Sequence, residues 1–164
     1  MDVNEKIIVE WLHLCRHQFT ITNISFKVWG SRGGSNYSNI DILAVDNDGL
    51  FYDYEIKWRS VFAIGTTDKE TVASLIKQMT RRERKNKIRE IIGEKSYKKV
   101  LITTKVFFGQ REKKREEFVY TFKRHGVKVL FFDDIIPELA AKVNIKGRYD
   151  SETLQIMRMV KSFL

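Results

Sequence analysis

The chain has 164 residues, 43% of them hydrophobic, which suits one domain with its own core and excludes a disordered or fibrous protein. Thirty Lys and Arg against 21 Asp and Glu leave a net charge of +9, a surplus that either draws a polyanionic partner, nucleic acid above all, or serves solubility. No apolar run is long enough to span a bilayer, the opening residues are unlike a signal peptide, and the lone Cys15 excludes an intrachain disulfide, so the reading is a cytoplasmic protein with a buried thiol and no membrane partner.

Asp2 to His17 reads as a helix, because Val3, Ile7, Ile8, Trp11, Leu12 and Cys15 fall at helical spacing, and Asp2 or Asn4 can cap its start. Ile24 to Trp29 alternates as a first strand. Gly30-Ser31-Arg32-Gly33-Gly34-Ser35-Asn36 reads as a polar loop. Asn39 to Val45 and Leu50 to Arg59 are the second and third strands. They join across Asn47-Asp48-Gly49, a hairpin signal because Gly, and less freely Asn and Asp, accepts positive φ. Asp68 to Ile92 reads as mostly helical, with an apolar stripe of Val72, Leu75, Ile76 and Met79 followed by the basic run Arg81 to Lys87. Val100 to Thr104 is a buried strand. Gln110 to His125 is a charged helix turning Phe118, Val119 and Phe122 inward, and Gly126 ends it. Val127 to Phe132 is a further strand; Asp133 to Val143 and Ser151 to Phe163 are closing helices. On the last, Leu154, Met157, Met159 and Val160 make either core or a dimer interface. The expected fold class is α/β (α+β): a mixed sheet with helices on both faces, ordered αβββαβ with a C-terminal βαα extension.

Asp41 sits inside the apolar run Ile40 to Val45, and Glu55 and Lys57 lie two apart on the next strand. Side chains two apart share a strand face, roughly 7 Å from each other. Across the hairpin, Asp41 and Glu55 can converge. Two carboxylates, with the carbonyl of Ile56 between Glu55 and Lys57, suit Mg²⁺ or Mn²⁺ rather than zinc. Such a cation draws charge from a phosphodiester and acidifies water, and Lys57 orients that water or neutralises developing charge. An acid-x-Lys on a strand is ordinary by itself. The acid on one strand, the turn, and Glu-x-Lys on the next, within a basic domain, point together to a metal-dependent nuclease. No Gly-Lys-Ser/Thr follows the glycine loop, so a nucleotide-triphosphate loop is excluded.

The arrangement resembles the PD-(D/E)xK nuclease superfamily, whose fold is restriction-endonuclease-like. Ile40-Asp41 stands where that family has Pro-Asp, with Ile40 in place of the Pro, and Glu55-Ile56-Lys57 matches its (D/E)-x-K. The resemblance covers roughly the first hundred residues. It implies hydrolysis of DNA phosphodiester bonds with Mg²⁺ or Mn²⁺. Within the superfamily the chain is most similar to archaeal Holliday junction resolvases. A helix with Glu5, the Gly/Ser loop with Arg32, Asp41, and Glu55-Ile56-Lys57 come in the resolvase order. The likeness implies a site role for Glu5, with Glu10 as its rival; each is otherwise a solvated helix carboxylate. It implies one for Gln78 too, on the helix after the Glu-x-Lys strand, where a plain polar residue is the other reading. A homodimer follows, since cutting two strands usually requires two sites. The segment Gly126 to Leu164 exceeds the resolvase pattern.

Lys77, Arg81, Arg82, Arg84 and Lys85 crowd one helical stretch. Arg81, Arg84 and Lys85, three and four apart, can track one phosphate strand; the other reading is a solvated helix end balanced by Glu83 and Glu90. In the glycine loop, Ser31, Arg32 and Ser35 supply donors to phosphate, or merely connect two strands. Trp29, Tyr54 and Trp58 read as core or half-buried strand residues. The rival functions are a catalytically silent nuclease-fold module that binds nucleic acid or protein, and a ribonuclease or ligand-activated defence nuclease.

Overall fold

Asp2 opens the first helix. Its Oδ1 accepts the Glu5 amide at 2.9 Å, and Glu5 Oε2 accepts the Asp2 amide at 3.3 Å, giving partners to amides that a helix start leaves free. This helix, α1 (Val3–Arg16), buries Ile8, Trp11 and Leu12 and ends at His17, whose φ of 53° is left-handed. The computed structural model describes residues 2–29, 34–58, 68–109 and 111–163.

β1 (Phe19–Trp29) runs antiparallel to β2 (Ser35–Val45), paired from Phe19↔Val45 to Trp29↔Ser35. Both strands are longer than their apolar alternation suggests. Phe19 and Ile21 are exposed and the half-buried positions between and after them are Thr20 and Thr22, so the first half of β1 has no apolar inward face to betray it. Ser35 and Asn36, polar and exposed, belong to β2 rather than to the loop. The turn into β3 (Phe51–Lys57) depends on Asp46 as much as on Gly49. Asp46 Oδ1 accepts the Asp48 and Leu50 amides, and its Oδ2 accepts the Tyr52 hydroxyl at 2.9 Å. Gly49 supplies the positive φ of 78°.

The helical stretch after β3 is two helices, α2 (Asp68–Thr80) and α3 (Arg82–Ile92), divided at Arg81 by an extended ψ of 141°. No Gly or Pro marks that break. β4 (Tyr97–Thr103) leads into a short 3₁₀ turn, Lys105–Phe108, which buries Phe107 and Phe108. α4 (Glu112–Arg124), β5 (Val127–Phe131), α5 (Phe132–Lys142) and α6 (Glu152–Ser162) complete the chain. The sheet is open, mixed and five-stranded, in the order β1-β2-β3-β4-β5. β2 is antiparallel to both its neighbours; β4 is parallel to β3 and to β5. Among the described residues no helix is long and apolar enough to cross a membrane.

Each face of the sheet carries its own core. On one face Ile42, Ala44, Tyr54, Ile56, Val100 and Ile102 pack with Ile8, Trp11 and Leu12 of α1, Phe132 and Leu139 of α5 and Leu154 of α6. On the other, Leu101 and Val127 meet the α2 stripe and Phe118 and Phe122 of α4, while Phe26, Val28, Ile40 and Leu43 meet Ile88 and Ile92 of α3. Met159 and Val160, expected in core or interface, are half exposed, because α6 turns Leu154 and Met157 inward instead. With Tyr54 and Ile56 on the first face, strand alternation sends Asp53, Glu55 and Lys57 to the second, beneath α2 and α3. That placement decides the chemistry of the molecule.

Candidate active site

β2 and β3 pair from Val45↔Phe51 as far as Ile42↔Tyr54 and then part. β3 goes on pairing with β4 alone, Glu55 opposite Leu101 and Lys57 opposite Thr103. Asp41 stands in the fork. Its Oδ2 accepts the Ile56 amide at 2.7 Å, taking the place of the strand carbonyl that no longer reaches that amide. Thr103, fully buried, donates its hydroxyl to the Lys57 carbonyl at 2.8 Å and fixes the end of β3.

Glu55 is 0% exposed, and both its oxygens are occupied. Lys57 Nζ lies 2.6 Å from Oε1, and Gln78 Nε2 donates to the same oxygen at 2.7 Å. Arg84 Nη1 donates to Oε2 at 2.7 Å. Arg84, itself 0% exposed, turns the rest of its guanidinium to Asp53: Nη2 to Oδ1 at 2.6 Å and Nε to Oδ2 at 3.0 Å. Burial works against the Arg84 charge, yet Asp53 and Glu55 outweigh it and hold the guanidinium above its ordinary value. Burial also pushes the Asp53 carboxyl up, and Arg84 opposes that shift. The result is a buried network with two carboxylates, one guanidinium and one half-buried ammonium.

Asp41 differs. Burial first, and the charge of Glu55 second, push its carboxyl from 3.8 up to about 6; the Ile56 amide and Lys57 pull it back only in part. Its folded value thus lies above its unfolded one, so its contribution to stability is full below about pH 4 and is lost as pH rises through 6. Holding Asp41 ionised at neutral pH therefore costs up to about 3 kcal/mol. Asp41→Asn keeps an oxygen for the Ile56 amide and removes the charge. Urea denaturation in chelator should find it about 1–3 kcal/mol more stable than wild type near pH 7.5 and equal near pH 4. A loss of stability across that whole range would make Asp41 a structural residue. Acids held ionised at the expense of the fold are a signature of functional sites.

The structure thus brings Asp41, Glu55, Lys57 and Gln78 together, and ties Ile56 to Asp41 through its amide. Arg84 is corrected: it is a buried structural cation, because Ile88 and Ile92 on its own helix face carry it under the sheet, and it presents nothing to a phosphate at the surface. Lys77, Arg82 and Lys85 are exposed, and Arg81 is partly so at the break between helices. Ser35 is exposed on β2, while Ser31 and Arg32 lie outside the described residues. Glu5 caps α1, which packs on the opposite face of the sheet from Glu55. Glu10 lines a small cavity with Ser151, Glu152 and Thr153 ahead of and in α6. Tyr54 is buried as expected, Trp58 lies edge-on to Phe132 at 4.8 Å, and Trp29 overturns its expectation at 67% exposed.

Sequence reasoning missed Asp53 and Thr103 and gave Arg84 a surface role in place of its buried one. Two of these left a signal. Asp53, Glu55 and Lys57 alternate, which puts three charges on one strand face. Arg84 sits four and eight residues before Ile88 and Ile92, on the apolar side of its helix. Thr103 left none.

Among the described residues no group of three or more His, Cys, Asp or Glu is disposed to hold a metal ion. Asp41 and Glu55 are a pair, and a pair of hard carboxylates suits an ion that keeps waters and phosphate oxygens in its shell, as Mg²⁺ does. Burial raises Asp41 most and the Glu55 charge adds to it; a cation beside both carboxylates would offset that repulsion. Comparison of the sequence with protein-family models and with curated proteins gives no match in either.

Proposed function

We propose that the chain is a metal-dependent endonuclease of the PD-(D/E)xK kind, with a restriction-endonuclease-like core, hydrolysing DNA phosphodiester bonds. The observation that carries this reading is the fork between β2 and β3: a raised, half-buried Asp41 faces a fully buried Glu55 whose near neighbour is the Lys57 ammonium. Asp41 and Glu55, with the Ile56 carbonyl, are the residues that would hold Mg²⁺ or Mn²⁺. Bound there, the cation would withdraw charge from the scissile phosphate and acidify water.

The chain's own groups do the rest. Lys57, with 28% of its side chain exposed, reaches both Glu55 and solvent. It orients the attacking water and offsets the charge that builds on phosphate. Gln78 holds Glu55 Oε1 and Arg84 holds Oε2, so the carboxylate has one orientation. Lys77, Arg82 and Lys85 supply sequence-independent attraction to the phosphate backbone. Cutting both strands of a duplex calls for two such sites, hence a homodimer.

One observation favours a second reading, a module that binds nucleic acid without cutting it: both Glu55 oxygens already have partners. The test is a cleavage panel of linear duplex, four-way junction, flap, single-stranded DNA and RNA, in Mg²⁺, Mn²⁺ or EDTA. Cleavage that EDTA abolishes supports the nuclease, and the member cut best chooses between a junction enzyme, a general one and a ribonuclease. Salt-sensitive binding with no cleavage under any metal supports the second reading.

A further inference from the structure

The β1–β2 ribbon has two unlike faces beyond the fork. One buries Phe26, Val28 and Ile40 against α3. The other carries Ser25, Lys27 and Trp29 of β1 and Ser35, Tyr37 and Asn39 of β2, all exposed. The pairs are direct: Ser25 opposite Asn39, Lys27 opposite Tyr37, Trp29 opposite Ser35. Ser25 Oγ donates to Asn39 Oδ1 at 2.9 Å, and Lys27 Nζ sits 4.7 Å from the Trp29 ring. Trp29 is 67% and Tyr37 77% exposed.

Two large rings so bare on a paired strand gain nothing for the core. A face that is aromatic, cationic and polar, with no carboxylate on it, is chemically suited to bases and phosphates: any base stacks on a ring, and Lys27 meets the backbone. Its position is as telling. β2 runs from Ser35 and Tyr37 to the acid in the fork, where its alternation breaks: Ile40 and Leu43 pack against α3 while Ile42 between them packs against α1. Tyr37 stands about 13 Å and Trp29, opposite Ser35, about 20 Å from Asp41 along the ribbon, at about 3.3 Å per residue. A base paired within a duplex cannot lie on these rings; an unpaired one can.

We propose that this face is a stacking platform for an unpaired nucleic-acid strand, so that the substrate carries unpaired nucleotides within a short distance of the bond to be cut. The second clause rests on the nuclease reading; the platform itself does not.

The test is binding of the full chain in EDTA, by fluorescence anisotropy, to single-stranded DNA, single-stranded RNA, a blunt duplex, and the same duplex with a single-stranded flap. Trp29→Ala and Tyr37→Ala should each weaken binding to the single strands and the flap by on the order of tenfold or more, and change blunt-duplex binding by less than about twofold. Tyr37→Phe and Trp29→Phe, which keep a ring, should retain most of the affinity. Both positions are exposed, so the fold is indifferent to these changes. The DNA and RNA arms show which strand is preferred. Equal losses on blunt duplex, or no loss on unpaired strands, would overturn the platform. So would a dimer, seen by sedimentation, that Trp29→Ala dissolves while oligonucleotide affinity stays the same. Ring-dependent binding without cleavage in Mg²⁺ or Mn²⁺ would keep the platform and reject the nuclease.

Discussion

Lys57→Ala should lower the proposed metal-dependent cleavage by about 10²–10³-fold, the usual loss when one electrostatic stabiliser is removed from a reacting centre. Lys57 Nζ is 2.6 Å from Glu55, its backbone is pinned by Thr103, and part of its side chain faces solvent, where a phosphate must arrive. The loss should fall on kcat, with affinity for the substrate within about twofold, because a group that acts on developing charge contributes little to ground-state binding. Lys57→Arg should fail to rescue, since a planar guanidinium cannot put a compact charge at the same point. Glu55 keeps Gln78 and Arg84 in the variant, so the fold loses no more than about 2 kcal/mol. Single-turnover kinetics and a urea titration on the same preparations read both quantities. Unchanged turnover would remove Lys57 from the chemistry.

Arg84→Met has the largest expected effect on stability, a loss of about 3–5 kcal/mol, because it strands the buried Asp53 carboxylate without its ion-pair partner and leaves Glu55 with Lys57 alone. The pair alone does not explain such a figure as net stabilisation; the cost lies in leaving buried charge uncompensated. A double variant, Arg84→Met with Asp53→Asn, should therefore be more stable than Arg84→Met alone. Equilibrium denaturation of the two singles and the double gives the coupling directly. Additive losses would show that the interaction between Arg84 and Asp53 contributes little. Arg84→Lys should recover part of the stability and little of the cleavage, since an ammonium cannot bond Asp53 at two points and Glu55 at a third.

Much of this was legible beforehand, and for physical reasons. Apolar alternation in Ile40 to Val45, the Gly49 turn and the helical spacing of α1 and α4 report a one-sided burial that a sequence cannot hide. Phe19 and Ile21 alternate with Thr20 and Thr22 but turn outward, out of phase with Ile24, Phe26 and Val28, so that half of β1 was not recognised as the same strand. The break at Arg81 involves neither Gly nor Pro. The short turn Lys105–Phe108 depends on Phe107 and Phe108 reaching a core made by distant helices. At the site, Asp41, Glu55 and Lys57 were visible because strand geometry fixes their relation. Gln78 was offered by the resemblance alone, since only the tertiary fold brings it to Glu55, and Arg84 was misplaced because a run of basic residues reads as surface until one is seen at an apolar helix position. Trp29 was misplaced for the converse reason: an aromatic residue on a strand is expected to be covered.

The nuclease proposal rests on the fork, and it is tested by cleavage of the best-cut member of the panel by wild type and by Asp41→Asn, side by side in Mn²⁺, Mg²⁺ and EDTA. Wild type should cut in either metal and not in EDTA, and Asp41→Asn should not cut at all, although that variant is expected to be the more stable protein near pH 7.5. Cleavage by Asp41→Asn at the wild-type rate, or by wild type in EDTA, would contradict it.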